Sequence, residues 1–300
     1  MSSNRTLVRF SFKDTLMRAH SPVVARAALL LSAITFAPVV IAAQSPQTIV
    51  VRATDYKFDA PATVSAGTIT LRLDNAGKEV HHLWLVQLRQ GKTYGDFLKV
   101  MDSWNQPNMP AWAVDVGGPN DVSAGMSASA TVSLEAGHYA MVCYVPAPDG
   151  RPHVMHGMIR ELDVTTAGAT AVNEPNADIT LRMTDYAFDM SKPITAGPRI
   201  IRIENNATQS HEVVIGQLRA GKTLGQALSW LNEGQKGAAP VIAMGGASGL
   251  AKGRHQFISA TFEPGRYVFL CFIPDAKDGK PHTVHGMARE FTVSASVASK

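Results

Sequence analysis

The chain of 300 residues has only two cysteines, which excludes a disulfide-rich scaffold, and only 17% of its residues are charged, which excludes general disorder. After one apolar run at residues 27 to 43, no stretch approaches the ~20 residues needed to span a bilayer. Excess charge is missing too once the front is set aside. The formal net charge of +4 resides in residues 1 to 43, where Arg5, Arg9, Lys13, Arg18 and Arg26 face Asp14 alone. The remainder is neutral, so no nucleic-acid partner is implied. There is no dinucleotide fingerprint, no GxSxG elbow and no HxH pair.

The front segment has the features of an export signal: basic residues ending at Arg26, the apolar run, and small residues at Ala42 and Ala43. Cleavage of residues 1 to 43 is expected to leave a periplasmic or secreted protein with no integral membrane span. Met17 begins a signal of more ordinary length, so translation starts at Met1 or Met17.

The rest of the chain is an internal repeat. RATDYKFDAPATVSAGTITLRLDNAG from Arg52 returns as RMTDYAFDMSKPITAGPRIIRIENNA from Arg182, and GHYAMVCYVPAPDGRPHVMHGMIREL from Gly137 returns as GRYVFLCFIPDAKDGKPHTVHGMAREF from Gly265. A period near 130 residues is domain-sized. Domains are expected at 48–165 and 177–294, joined by a small-residue linker at 166–176. The first is net acidic by three charges and the second net basic by three.

Short β-branched and aromatic runs recur in each copy, in the first at Thr48 to Ala53, Thr68 to Leu73, Leu83 to Leu88, Ser129 to Leu134, His138 to Tyr144 and Ile159 to Val164. Gly, Asn, Pro or Asp separate them, as in strands joined by turns. A helical stripe interrupts the pattern at Phe97, Leu98, Met101 and Trp104, and again at Leu224, Ala227, Leu228 and Leu231. The fold class is therefore all-β: two tandem Greek-key β-sandwich domains, each with a short helical insertion expected to cap one end.

Chemistry-bearing residues recur with the repeat. Cys143 matches Cys271, His81 matches His211, His153 matches His282, His156 matches His285, and Met158 matches Met287. A lone cysteine per domain would ordinarily be a buried apolar thiol. The accompanying histidines at matched places favour a metal instead. His82 has Glu212 as its counterpart, which speaks for a solvent-facing or cleft residue rather than a ligand. Tyr56, Phe58, Tyr186 and Phe188 are expected as core or interface aromatics. GQLRAGKT from Gly216 fits a phosphate-loop pattern, but the first copy has Val86 in place of the first Gly, and a β-sandwich lacks the parallel sheet such a loop serves.

In both copies the pattern resembles the cupredoxin family of blue, type 1 copper proteins such as plastocyanin and azurin. That family takes one His after an Asn-containing turn, and Cys, His and Met from one later loop. The turns DNAGKEV and ENNATQS precede His81 and His211. The resemblance implies copper, one per domain, held by His81, Cys143, His153 and Met158 and by His211, Cys271, His282 and Met287. It also implies one-electron transfer with a redox partner protein. The family usually leaves two to four residues between Cys and His, whereas nine and ten stand here. His156 and His285 are thus alternates, as replacement ligand, added ligand or supporting contact.

Two other readings stay open. A periplasmic copper chaperone or store, with a copper donor or acceptor as partner, or a metal-free binding sandwich would use the same fold. A multicopper oxidase or copper nitrite reductase would need a His beside the Cys, but Val142 and Tyr144 flank one cysteine, Leu270 and Phe272 the other. A non-enzymatic role is favoured.

Overall fold

The computed structural model describes residues 45–102, 109–168 and 172–295. The expected signal at 1–43, Trp104 and residues 169–171 of the expected linker lie outside them. In the first copy run β1 (Gln47–Thr54), β2 (Lys57–Asp59), β3 (Thr63–Ser65), β4 (Gly67–Asn75), β5 (Trp84–Leu88), α1 (Tyr94–Asp102), β6 (Ala113–Gly117), β7 (Ser127–Leu134), β8 (Gly137–Val142), a 3-10 turn (His153–His156) and β9 (Ile159–Thr165). The second copy follows with β10 (Ile179–Thr184), β11 (Ala187–Met190), β12 (Gly197–Asn205), β13 (His211–Leu218), α2 (Leu224–Asn232), β14 (Val241–Leu250), β15 (His255–Phe262), β16 (Gly265–Leu270), a 3-10 turn (His282–His285) and β17 (Ala288–Val293).

The described residues are all-β with two small α-helices. Strand alternation sets the layers: in β1 Ile49, Val51 and Ala53 turn inward, and in β4 Ile69, Leu71 and Leu73 do the same. The two strands pair in parallel with Val51 opposite Leu73, so both inward rows meet one core. Across it lie Leu85, Met141 and Leu162 from β5, β8 and β9, with Cys143 and Met158 in the same cluster. The second copy builds an equivalent core that holds Cys271 and Met287.

Strand β5 is buried on both faces. Its outer row, Trp84, Val86 and Leu88, packs with Phe97 and Met101 of α1 and with Ala140 and Val142 of β8. The helix therefore covers the outer face of a sheet instead of capping an end. Its second-copy counterpart α2 begins with a capping box: Thr223 Oγ1 accepts from Gln226 N–H, and the Gln226 side chain reaches back to Thr223 N–H. The GKT of the phosphate-loop pattern is thus a helix cap, and β13, which precedes it, runs antiparallel to both β14 and β16.

The two copies join edge to edge in both layers. One sheet runs β11-β10-β12-β15-β7-β4-β1-β2 and the other β17-β16-β13-β14-β6-β5-β8-β9-β3. The seams are β7 with β15 and β6 with β14. At the first seam Ala130 pairs with Ile258, its own counterpart in the repeat, and at the second Pro119 bridges to its counterpart Ala247. Self-pairing of equivalent positions is the mark of a pseudo-two-fold axis between the copies. Gly118 and Gly246 sit beside it with φ of 135° and 134°, where a Cβ would collide with the carbonyls of Leu83 and Val213.

Candidate metal centres

Each centre is assembled from a strand end and one loop. Cys143 follows β8, and its N–H donates to Met158 O (3.1 Å) while its carbonyl accepts from Val154 N–H (2.8 Å). Cys271 is held the same way by Met287 and Thr283, at 3.2 and 3.0 Å. Both methionines are fully buried in the cluster that contains their cysteine. The upstream His is fixed by a buried asparagine. Asn75 Nδ2 donates to Glu79 O (2.7 Å) and Val122 O (2.8 Å), and its Oδ1 accepts from Gly77 N–H (2.9 Å). Asn205 repeats this with Gln209 O, Leu250 O and Ala207 N–H.

The long Cys-to-His interval proves compatible with a compact centre. Its extra residues form an outward hairpin in which Pro146 bridges to Pro152, Ala147 N–H donates to Arg151 O and His153 N–H donates to Val145 O. Pro274 and Pro281 close the second loop in the same manner. The chain then makes one 3-10 turn and reverses at Gly157 or Gly286, with φ of 95° and 98°.

The outcome is a convergence of donor atoms. His81 Nδ1 lies 3.1 Å from His153 Nδ1, which lies 3.4 Å from Cys143 Sγ. In the second copy Cys271 Sγ lies 3.8 Å from His211 Nδ1 and 3.3 Å from His282 Nδ1. All six residues are buried. The outward nitrogens meet carboxylates: His81 Nε2 is 2.9 Å from Asp55 Oδ1, His153 Nε2 is 2.8 Å from Glu79 Oε2, and His211 Nε2 is 2.7 Å from Asp185 Oδ1. A proton on each of these Nε2 atoms leaves Nδ1 as a bare lone pair aimed at its neighbours.

Electrostatics keep the metal-free centres uncharged. Burial pushes the Cys143 thiol up to about 12 and the Cys271 thiol well above its ordinary value. Burial also lowers the imidazoles, His282 to about 4, although the Asp55, Glu79 and Asp185 carboxylates oppose it at the other three. Backbone N–H groups of His82 and Val145 point at Cys143 Sγ, and those of Glu212 and Ile273 at Cys271 Sγ.

The alternates lie apart from the converging trios. His156 Nε2 is 3.2 Å from Asp149, His285 Nε2 is 3.2 Å from Asp278, and their rings lie against Tyr56 and Tyr186 at 4.7 and 5.0 Å. Neither residue is in a strand. His82 lies in the cleft between the copies, one of the two places expected for it. It is buried, accepts from Tyr144 N–H through Nε2 (2.8 Å) and faces Asp121 Oδ1 through Nδ1 (3.1 Å). Glu212 holds the equivalent place, accepting from Phe272 N–H at 2.9 Å.

Sequence reasoning missed the carboxylates and gave Tyr56 and Tyr186 no polar role. Tyr56 donates to Glu79 Oε1 (2.9 Å) and Tyr186 to Asp275 Oδ2 (2.5 Å). The recurring TDY of both copies was the available signal for Asp55, Tyr56, Asp185 and Tyr186.

No family model matches the chain, and no curated protein does. Solved structures do. A dithionite-reduced auracyanin from the photosynthetic bacterium Roseiflexus castenholzii is 20% identical, with 41% of this chain and 99% of that one covered and a TM-score of 0.30. Auracyanin A, a "blue" copper protein from Chloroflexus aurantiacus, is 20% identical over 40% of this chain and 100% of that one, with a TM-score of 0.30. A copper-containing nitrite reductase from Thermus scotoductus is 10% identical, covering 84% of this chain and 62% of that one at a TM-score of 0.23. What the two centres can do is decided by their own residues.

Proposed function

We propose that the chain is an exported copper protein that carries one electron at each of two centres, His81, Cys143, His153 with Met158, and His211, Cys271, His282 with Met287. One observation carries the reading: in the first copy two imidazole lone pairs and a thiol converge, His153 Nδ1 standing 3.1 Å from His81 Nδ1 and 3.4 Å from Cys143 Sγ, with the imidazole protons drawn to the opposite side of each ring by carboxylates. Facing lone pairs repel unless a cation lies between them. Two imidazoles, a thiolate and a thioether are a donor set that suits both Cu(I) and Cu(II). Bound copper would supply a one-electron couple.

The chain's own residues supply the rest. The paired backbone at His81 and His211, a strand end and a clamped loop hold the donors, so little has to move when the charge changes. The buried setting keeps water away from the sulfur. Cation uptake must displace the thiol proton, while the neutral imidazoles are ready as they stand. Each copy is proposed to act as a domain with its own centre. A redox partner protein and a location outside the cytoplasm follow from the same reading.

Titrating the purified chain with Cu(II) tests it. An intense visible thiolate charge-transfer band that saturates at two coppers per chain is expected. Copper held only as colourless Cu(I) would favour a chaperone or store, and the absence of stoichiometric copper would overturn the reading.

A further inference from the structure

Between the copies, His82 and Glu212 occupy equivalent places, and each is tied to its cysteine twice. The backbone N–H of each points at the sulfur, from 3.5 Å in both cases. The side chain of each accepts from the N–H of the residue covalently attached to that cysteine, Tyr144 or Phe272. Since His82 Nε2 is an acceptor there, Nδ1 carries the proton and donates to Asp121 Oδ1 (3.1 Å). Asp121 N–H donates to Asn120 Oδ1 (2.9 Å), and Asn120 Nδ2 donates to Glu212 Oε2 (3.0 Å). Bonds and hydrogen bonds therefore run without a break from Cys143 Sγ to Cys271 Sγ. Along this route the Asn120 to Glu212 hydrogen bond is the step that crosses from one copy to the other.

We propose that the two centres exchange an electron through this chain, His82, Asp121, Asn120 and Glu212; the proposal rests on the copper reading above. One electron leaves the reduced centre and arrives at the oxidised one. No bond forms or breaks and no proton is transferred, so the step balances by itself. His82, Asp121, Tyr144, Glu212 and Phe272 also line a cleft of about 780 Å³ between the copies. Tunnelling decays faster across open space than along bonds and hydrogen bonds, which makes the chain in the cleft's wall the better-coupled route. Asn120 is fully buried and also anchored by donation to Ala247 O (3.0 Å), so the link is held in place. Its role is that of a positioning residue.

A short pulse of reducing radicals on the fully loaded, oxidised chain tests the proposal, with absorption and freeze-quenched EPR following the electron afterwards. A first-order redistribution between the centres is expected, with a rate independent of protein concentration. Asn120→Ala is expected to slow it, because an open gap then replaces two hydrogen bonds of the route, with both copper count and charge-transfer bands unchanged. Glu212→Leu breaks the same bond from the other side and should slow it equally. Asp121→Asn retains the acceptor for His82 and should leave the rate near that of the parent chain. Redistribution that scales with concentration, or that ignores Asn120→Ala and Glu212→Leu, would overturn the exchange route while leaving a two-copper count to support the copper reading. A chain that takes up no copper would overturn both.

Discussion

The two centres share a framework and differ in where the outer carboxylate comes from. In the first, Glu79 on the turn before His81 holds His153 Nε2 at 2.8 Å. The second has Gln209 at that place, and the carboxylate is Asp275, in the loop after Cys271. The tyrosine hydroxyl follows the carboxylate, with Tyr56 bound to Glu79 and Tyr186 to Asp275. The chemical requirement has survived while the residue supplying it moved. The transfer is incomplete, however: Asp275 stands 3.7 Å from His282 Nε2, a buried nitrogen with no hydrogen-bond partner among the described residues. A carboxylate that takes a ligand's outer N–H makes the imidazole a stronger donor. His153 has that support and His282 lacks it.

The largest effect should come from removing a thiol. Cys143→Ser and Cys271→Ser are each expected to lose one of two coppers and the matching half of the charge-transfer band, measured by metal analysis and absorption. Loss of both coppers from either variant would mean that the centres are not independent. Next comes the carboxylate. Glu79→Gln should weaken copper at the first centre by roughly 10-fold or more, as outer-sphere changes do, and bring it toward the second. Asp275→Asn should do less, because Asp275 does not reach His282. Equal losses in competition titrations against a chelator would erase the distinction.

Acidity gives a third test. Uptake at either centre displaces a proton from a thiol that burial holds well above its ordinary value, so one proton should be released per copper at neutral pH. Apparent affinity should then rise about tenfold per pH unit. A flat profile would mean that the thiols are already ionised, against the effect of burial. A smaller effect concerns the seam between copies. Burial raises Glu212 from 4.5 to about 7, so its folded-state pKa lies above the unfolded one. Its contribution to stability is full below about 4.5 and is lost as pH rises through about 7, roughly 3 kcal/mol in all. Glu212→Gln should remove that slope from metal-free denaturation curves, whereas Glu79→Gln should not.

Much of this was legible in the chain. Strand positions followed from alternation, as in Ile49, Val51 and Ala53, because one buried face leaves a period of two. The ligand candidates followed from the repeat, which set Cys143, His153 and Met158 beside Cys271, His282 and Met287. Strand β6 was missed. Its AVDVG alternates only briefly, and Val116 and Gly117 gain their place from pairing with β5 and with the other copy. The moved carboxylate was equally hidden, since Asp275 has Ala147 as its sequence counterpart and only the folded loop brings it toward His282. His82 was set aside because it is unmatched in the repeat. The seam explains the mismatch: His82 and Glu212 meet the same short segment, Asn120 to Asp121, from opposite sides of a pseudo-two-fold axis.

A potentiometric titration of the fully loaded chain, read from the charge-transfer band and assigned with the two single-cysteine variants, tests the central claim most directly. Two reversible one-electron steps are expected, with the second centre at the higher potential because His282 donates less strongly than His153. A band that cannot be reversibly bleached would contradict one-electron transfer, and two coincident steps would contradict the difference between the centres.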